Sequence, residues 1–179
     1  MVENRGKKLE MEALDRLSVE AFKSSKKLPI VIILDDIRSL HNIGSVFRTS
    51  DAFAIEKIML CGITAQPPHR EIQKTALGAT ESVEWRHWDS CIDCVKELQS
   101  SGYRVYGVEQ VAGSSNLAEF QFPTKSKVAL VFGNEVKGVS QSVLDICDEF
   151  LEIPQNGTKH SLNISVSVGV VLWELVKKF

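Results

Sequence analysis

Two hydrophobic periods alternate along this chain. Short apolar runs, bounded by polar or turn-forming residues, read as strands at Ile30–Leu34, Lys57–Cys61, Ser82–Arg86, Arg104–Val108, Val128–Phe132 and Glu149–Ile153. Between them the apolar positions recur with helical spacing over Ile43–Ala54, Arg70–Leu77, Ser90–Gln99 and Ser140–Cys147. The final segment is mixed. Ile164–Val170 alternates like a strand, but the run continues through Leu172, Trp173 and Leu175 to a lysine-rich end, which is too long for a strand and suits a helix C-terminus. Short strands alternating with helices predict an α/β protein whose parallel, Rossmann-like sheet is covered on both faces.

Residues 1–27 read as a charged helix with a thin stripe of Leu9, Leu14, Leu17, Ala21 and Phe22. With no linker after Pro29, the division is an N-terminal helical extension (1–28) and one domain (29–179). Ala112–Ser126 is an irregular polar connection, placed to lie over a site. In the 43–54 helix, Ile43, Val46, Phe47, Ser50 and Ala54 share a face, Arg48 points away from it, and Gly44 leaves space one turn before Arg48. Ser161, Ser165 and Gly169 fall at i, i+4 and i+8, a small-residue stripe that would admit another backbone.

Composition narrows the class. The chain of 179 residues, 44% apolar, can bury one core. No apolar run of about 20 residues argues for a membrane span, and the charged start MVENRGKKLEMEALDRL lacks the apolar core of a signal peptide. Both point to a cytoplasmic protein with Cys61, Cys91, Cys94 and Cys147 reduced. Cys91-x-x-Cys94 shares a helix face with Val95 and Leu98, and no second cysteine or histidine pair stands at ligand spacing, so these are buried thiols and no metal is expected. A net charge of −2 gives no support to a generic nucleic-acid binder, although a local basic rim can still do that work.

Three loops at the carboxyl ends of predicted strands are rich in Asn, Gly, Ser and charge: Asp35–Gly44, Gly133–Gly138 and Pro154–Asn163. Ligands of such sheets bind there. No G-x-G-x-x-G follows the first strand, which excludes a dinucleotide fingerprint, and Val139-Ser140 stands where a phosphate loop needs Lys-Ser/Thr. Each loop also has an ordinary reading: Asn42 as a helix cap, Arg48 as a surface partner of Asp51, Glu135 as a solvated turn residue, and Ser161 as the cap of the last helix with Asn163 in its first turn.

Taken together the loops resemble the SpoU (TrmH-type) branch of the SPOUT RNA methyltransferases over most of the chain from Pro29. The resemblance rests on N-I-G-x-x-x-R at Asn42–Arg48, on F-G-N-E-x-x-G at Phe132–Gly138 and on I-P-x-x-G-x-x-x-S-L-N-x-S-V at Ile153–Val166, with Lys74–Ala79 matching a further segment. Gln155 departs from it, since the family commonly has methionine after the proline. The resemblance implies a C-terminal trefoil knot, a bent S-adenosylmethionine held there largely by backbone groups, and a homodimer with its sites near the subunit interface. It assigns Gly133, Ile153 and Leu162 to the cofactor, with Val108 and Glu109 beside them. Asn42, Arg48, Glu135, Ser161 and Asn163 become the polar reaction centre.

The implied reaction moves a methyl group to a ribose 2′-oxygen of RNA, a transfer-RNA nucleotide ahead of a ribosomal one. Arginine is a poor base but a good phosphate fork, so Arg48 is expected to clamp the phosphate beside the target ribose. Ser161 and Asn163 would orient the hydroxyl or Arg48, while Asn42 and Glu135 hold the loops. Candidate RNA contacts are Arg70, Lys74, Lys137, Lys159 and His160, with Lys7, Lys8, Lys23, Lys26 and Lys27 from the leading segment. The alternative is a non-catalytic RNA-binding or S-adenosylmethionine-binding protein on the same scaffold.

Overall fold

The computed structural model describes residues 6, 8, 10, 16–123, 126–159 and 161–179. Its seven strands are β1 (Leu28–Asp35), β2 (Ile55–Cys61), β3 (Glu84–Trp88), β4 (Tyr103–Val108), β5 (Ser115–Asn116), β6 (Lys127–Phe132) and β7 (Glu149–Glu152). They form one sheet in the order β3-β2-β1-β6-β4-β7-β5, and every pairing is parallel. The expected α/β class with a parallel sheet is what forms.

Alternation along the strands divides the core. On one face Ile30, Ile32 and Leu34 of β1, with Leu130 and Phe132 of β6, pack against helices α2 (Leu40–Ala52) and α7 (Ile164–Val176). On the other, Val31, Ile33, Ala129 and Val131 meet α5 (Cys91–Ser100) and the short α6 (Gln141–Leu144). Burial on both sides is why the central strands read as continuous apolar runs. Cys91, Cys94, Val95 and Leu98 are the buried residues of α5, as its periodicity implied. The final apolar segment is helical.

Several boundaries differ from the sequence reading, each for a local reason. Among the described residues of the leading segment, only α1 (Val19–Ser24) is helical, capped by Ser18, and Leu17 before it is exposed; Leu9 and Leu14 lie outside the described residues. Ser82 ends the one-turn helix α4 (Ala79–Ser82), so β3 starts two residues later than expected. Helix α2 begins at Leu40 because Ser39, not Asn42, caps it. The expected 140–147 helix closes after one turn at α6. The 112–126 connection supplies edge strand β5 and buries Leu117 and Phe122, while Phe120 and Phe122 stack edge-on against Tyr106. It completes the core at the sheet edge, which its polar composition hid.

Gly44 also has a different role. A Cβ there would lie 2.2 Å from both the Ile72 carbonyl oxygen and Thr75 Oγ1 of α3 (Arg70–Ala76). The gap therefore admits the α3 backbone and is not room beside Arg48. The contact brings α3 against the start of α2, where Thr75 Oγ1 donates to the His41 carbonyl at 2.9 Å. The proposed small-residue stripe also breaks up: Ser161 precedes α7, and a Cβ on Gly169 would meet nothing within 4 Å.

Gly44→Ala should therefore destabilise the protein, by about 1–2 kcal/mol after the gain in helix propensity is subtracted from the overpacking cost. Thermal unfolding checks this, and an unchanged or raised midpoint would show that α3 is not held at that distance.

Candidate active site

The loop after β6 is built around a backbone crossing. A Cβ on Gly133 would sit 2.0 Å from the Val139 nitrogen and 2.1 Å from the Gly138 carbonyl carbon, so no side chain fits. Within the loop, Asn134 Oδ1 accepts from the backbone N–H groups of Val136 (3.0 Å) and Lys137 (3.2 Å), and the Asn134 carbonyl accepts from Gly138 N–H at 2.8 Å. Gly138 turns the chain back at φ +69°, where Glu109 at the end of β4 leaves no space for a side chain. The Glu109 carboxylate accepts from Val139 N–H at 3.0 Å and so ties the loop to its neighbouring strand.

Held in this way, the loop projects Glu135 at the start of α2. Glu135 Oε2 accepts from Arg38 N–H (3.1 Å), and Oε1 accepts from Ser39 N–H (3.0 Å) and Asn42 Nδ2 (3.2 Å). A carboxylate there satisfies orphan donors and meets the positive end of the helix dipole. Partial burial pushes the Glu135 pKa up. The backbone N–H of Arg38, its own backbone, the N–H of Ser39 and the Asn42 amide outweigh that and hold the carboxyl below the usual glutamate value.

Asn42 passes the connection on, its Oδ1 accepting from Asn163 Nδ2 at 3.1 Å. Asn163 is the N-cap of α7, where its Oδ1 accepts from Ser165 N–H (2.9 Å) and Ser165 Oγ (2.7 Å). The cap expected at Ser161 is thus at Asn163. One chain of hydrogen bonds, Glu135–Asn42–Asn163, joins residues 93 and 121 positions apart in sequence.

The segments after β4, β6 and β7, with the start of α7, enclose a cavity of about 500 Å³ at the carboxyl ends of those strands, within the size range of small-molecule sites. Val108, Glu109, Gly133, Ile153 and Leu162 line it, and so do Glu135, Ser161 and Asn163. Apolar Val108, Ile153 and Leu162 suit a flat heterocycle, while Ser161, Asn163 and the loop backbone supply polar contacts. Asn42 stands one hydrogen bond behind the wall.

Arg48 stands apart. It is exposed on α2 and outside the cavity lining, about 9 Å beyond Asn42 along the helix axis. The alternative pairing with Asp51 is not among the ion pairs of the described residues, and Asp51 instead accepts from Ser82 Oγ. Of the candidate RNA contacts, Lys74 pairs with Glu71 at 2.7 Å and Lys137 lines the cavity mouth; Lys7 and His160 lie outside the described residues.

Sequence reasoning passed over two residues that shape the site. Asp35, buried at the end of β1, accepts from Ser140 Oγ at 3.2 Å, and burial pushes its pKa up. Asp36, at φ +55°, accepts from Ile63 N–H (3.0 Å), and its carbonyl accepts from Asn134 Nδ2 (2.7 Å). The signal available was two adjacent carboxylates at the end of an otherwise apolar strand, the first of them at a buried position that demands partners.

A parallel α/β sheet with a cavity beyond its strand ends, closed by a glycine-bounded loop and the start of the last helix, defines a small-ligand-binding α/β domain. The model of the SpoU rRNA Methylase family matches residues 29–173, and the chain belongs to that family. The 23S rRNA (guanosine-2′-O-)-methyltransferase RlmB of Shewanella oneidensis is 31% identical over 156 residues, covering 84% of this chain and 60% of that protein. The AdoMet-bound rRNA methyltransferase of Sinorhizobium meliloti has a TM-score of 0.78 at 25% identity, over 85% of this chain and 57% of that one. The TrmH/SpoU tRNA modifying enzyme of A. aeolicus has a TM-score of 0.77 at 24% identity, over 89% and 79% of the two chains. The chain spans about three fifths of the length of the curated relatives it matches.

The lowered pKa of Glu135 gives its interactions a pH dependence. Their contribution is complete above the ordinary glutamate value of 4.5 and is lost as pH falls through the lower folded value. Glu135→Gln should cost about 1 kcal/mol near neutral pH, allowing for solvent screening. The stability gap to the parent should narrow as pH falls below 4.5 and vanish once the carboxyl is protonated in the folded state as well. Denaturant unfolding of both proteins across pH measures it, and a gap that does not vary with pH would show that the charge is not what holds α2.

Proposed function

We propose that this chain is a S-adenosylmethionine-dependent RNA methyltransferase domain that methylates a ribose 2′-hydroxyl. The observation carrying the reading is the hydrogen-bonded chain Glu135–Asn42–Asn163, which ties α2 from behind to the two stretches that wall one cavity. Family membership supports the reaction class, and the relatives described above, an rRNA methyltransferase and a tRNA modifying enzyme, support RNA as the acceptor.

The cavity fits the cofactor by its size, its apolar patch and the backbone crossing at Gly133 that any side chain would fill. Gly133, Val108, Glu109, Ile153 and Leu162 would hold it, with the C-terminal third threaded as a trefoil knot so that both loops close on it. When bound, it supplies a methyl group already activated by a sulfonium. The chain's part is then to align the ribose oxygen and let its proton leave. Ser161 and Asn163 orient the hydroxyl from the cavity wall, and Glu135 keeps α2 in register with both loops.

The position of Arg48 belongs with a second proposal, that the domain works as a homodimer. Helix α7 carries an exposed apolar stripe of Val166, Val170 and Trp173, with Leu162 at its head, and Trp173 is 60% exposed. Helix α2 lies alongside, Phe53 and Trp173 having ring centroids 6.3 Å apart. A second copy seated on this face would cover the stripe and bring each Arg48 to the joint edge of the two cavities, where its fork would clamp the phosphate beside the target ribose.

The primary experiment is transfer of labelled methyl groups from S-adenosylmethionine to bulk RNA, followed by mapping of 2′-O-methyl sites in cells with and without the protein. Cofactor and RNA binding without transfer would favour the non-catalytic alternative. Arg48→Ala should lower transfer by roughly a hundredfold or more while cofactor affinity stays within about twofold; loss of both together would remove the clamp from the mechanism. Trp173→Glu should yield monomers in sedimentation, and a monomer with full activity would overturn the shared site.

A further inference from the structure

The charges in the cavity wall are unequal. Among the described lining residues, the acidic groups are Glu109, Glu135 and Glu152, and the basic one is Lys137, which is exposed at the mouth. Glu135 is met by backbone N–H groups at the start of α2. Glu109 accepts from two backbone N–H groups, those of Val139 and Gln110, each at 3.0 Å. Glu152 has less compensation. Its Oε2 accepts a neutral hydroxyl, Ser114 Oγ at 2.8 Å, and Oε1 has no hydrogen-bond partner among the described residues. Its position is nonetheless fixed, because Glu152 ends β7, pairs in register with Asn116, and its carbonyl accepts from Leu117 N–H at 2.9 Å.

We infer that Glu152 is a specificity-determining residue that makes the cavity prefer the cationic sulfonium cofactor over the neutral thioether product. This rests on the cofactor assignment proposed above. Methyl transfer removes one unit of positive charge from the bound molecule, since the sulfonium becomes a thioether while the amino and carboxylate groups of its tail cancel in both. A fixed, half-buried carboxylate in the wall attracts the charged form more than the neutral one, and the low polarisability around it limits screening. Glu152 therefore shifts the balance of affinities toward fresh cofactor and away from product, which favours exchange after each turnover. Selectivity by charge needs no contact that distinguishes the two molecules by shape.

The test is calorimetric binding of three compounds to the parent protein and to Glu152→Gln. They are S-adenosylmethionine, S-adenosylhomocysteine and an analogue with a protonated amine in place of the S-methyl group. Glutamine keeps an acceptor for Ser114, so the variant removes charge with little change of shape. The two cationic ligands should weaken by roughly three- to tenfold and the neutral one by less than about twofold. Added salt should shrink the parent's preference and leave the variant's unchanged. Equal loss for all three ligands, or no loss for any, overturns the inference while the cofactor assignment stands. A parent protein that binds none of the three overturns both.

Discussion

At Gly133 two lengths of backbone lie closer than any side chain allows, and the site follows from that contact. Because the β6 end meets Gly138 and Val139 directly, the residues between them are forced out as a tight loop. Asn134 folds that loop on itself through its own side chain and hangs it from the Asp36 carbonyl. Glu135 then has one place to go, the start of α2. A larger residue at 133 would not merely fill space. It would part the two backbones and withdraw Glu135 from the N–H groups of Arg38 and Ser39.

The polar links that radiate from this crossing are mostly between a side chain and the backbone of another element. Glu109 holds Val139, Asp35 holds Ser140, Asp36 holds Ile63, and Asn163 caps α7 while also reaching Asn42. Bonds of this kind fix loops where a sheet has run out of ladder partners, and each satisfies a group that would otherwise be orphaned. The carboxylates at the strand ends are therefore first of all structural. Glu135 and Glu109 are occupied by N–H donors, which leaves Glu152 as the acidic group with charge least committed to the fold.

Much of this was legible beforehand, for physical reasons that also explain the failures. Val128–Phe132 and Ile30–Leu34 are buried on both faces, so their apolar runs marked central parallel strands plainly. Asn42, Glu135, Ser161 and Asn163 each had an ordinary structural reading and were singled out by the resemblance of their motifs; hydrogen bonds and the cavity wall bring them to one place. What local pattern could not reveal was contact over long range. Gly44 meets Ile72 and Thr75 only after α3 has folded back, and Phe120 and Phe122 find Tyr106 across a connection whose own composition is polar. Helix caps failed for a similar reason. Ser39 and Asn42, like Ser161 and Asn163, are equally good caps by type, and the choice between them was made by partners elsewhere in the chain.

Arg48 is informative because it is where it is. A guanidinium placed to act on a substrate inside its own cavity would face inward from the first turn of α2, beside Asn42. Instead it stands on the exposed side of that helix, whose C-terminal Phe53 packs against Trp173 of the exposed apolar stripe of α7. A guanidinium keeps its proton under almost any local field, so proximity to a hydroxyl would gain little as base catalysis. At the rim of two adjoining cavities, as in the homodimer proposed above, the same group would have something better matched to its chemistry. There it would hold a phosphate by two parallel hydrogen bonds, fix the attached ribose against the cavity mouth, and leave orientation of the hydroxyl to Ser161 and Asn163. That proposed division of labour would account for an arginine set apart from the cavity wall within one chain, and for neutral amide and hydroxyl groups in the wall on the side of α7.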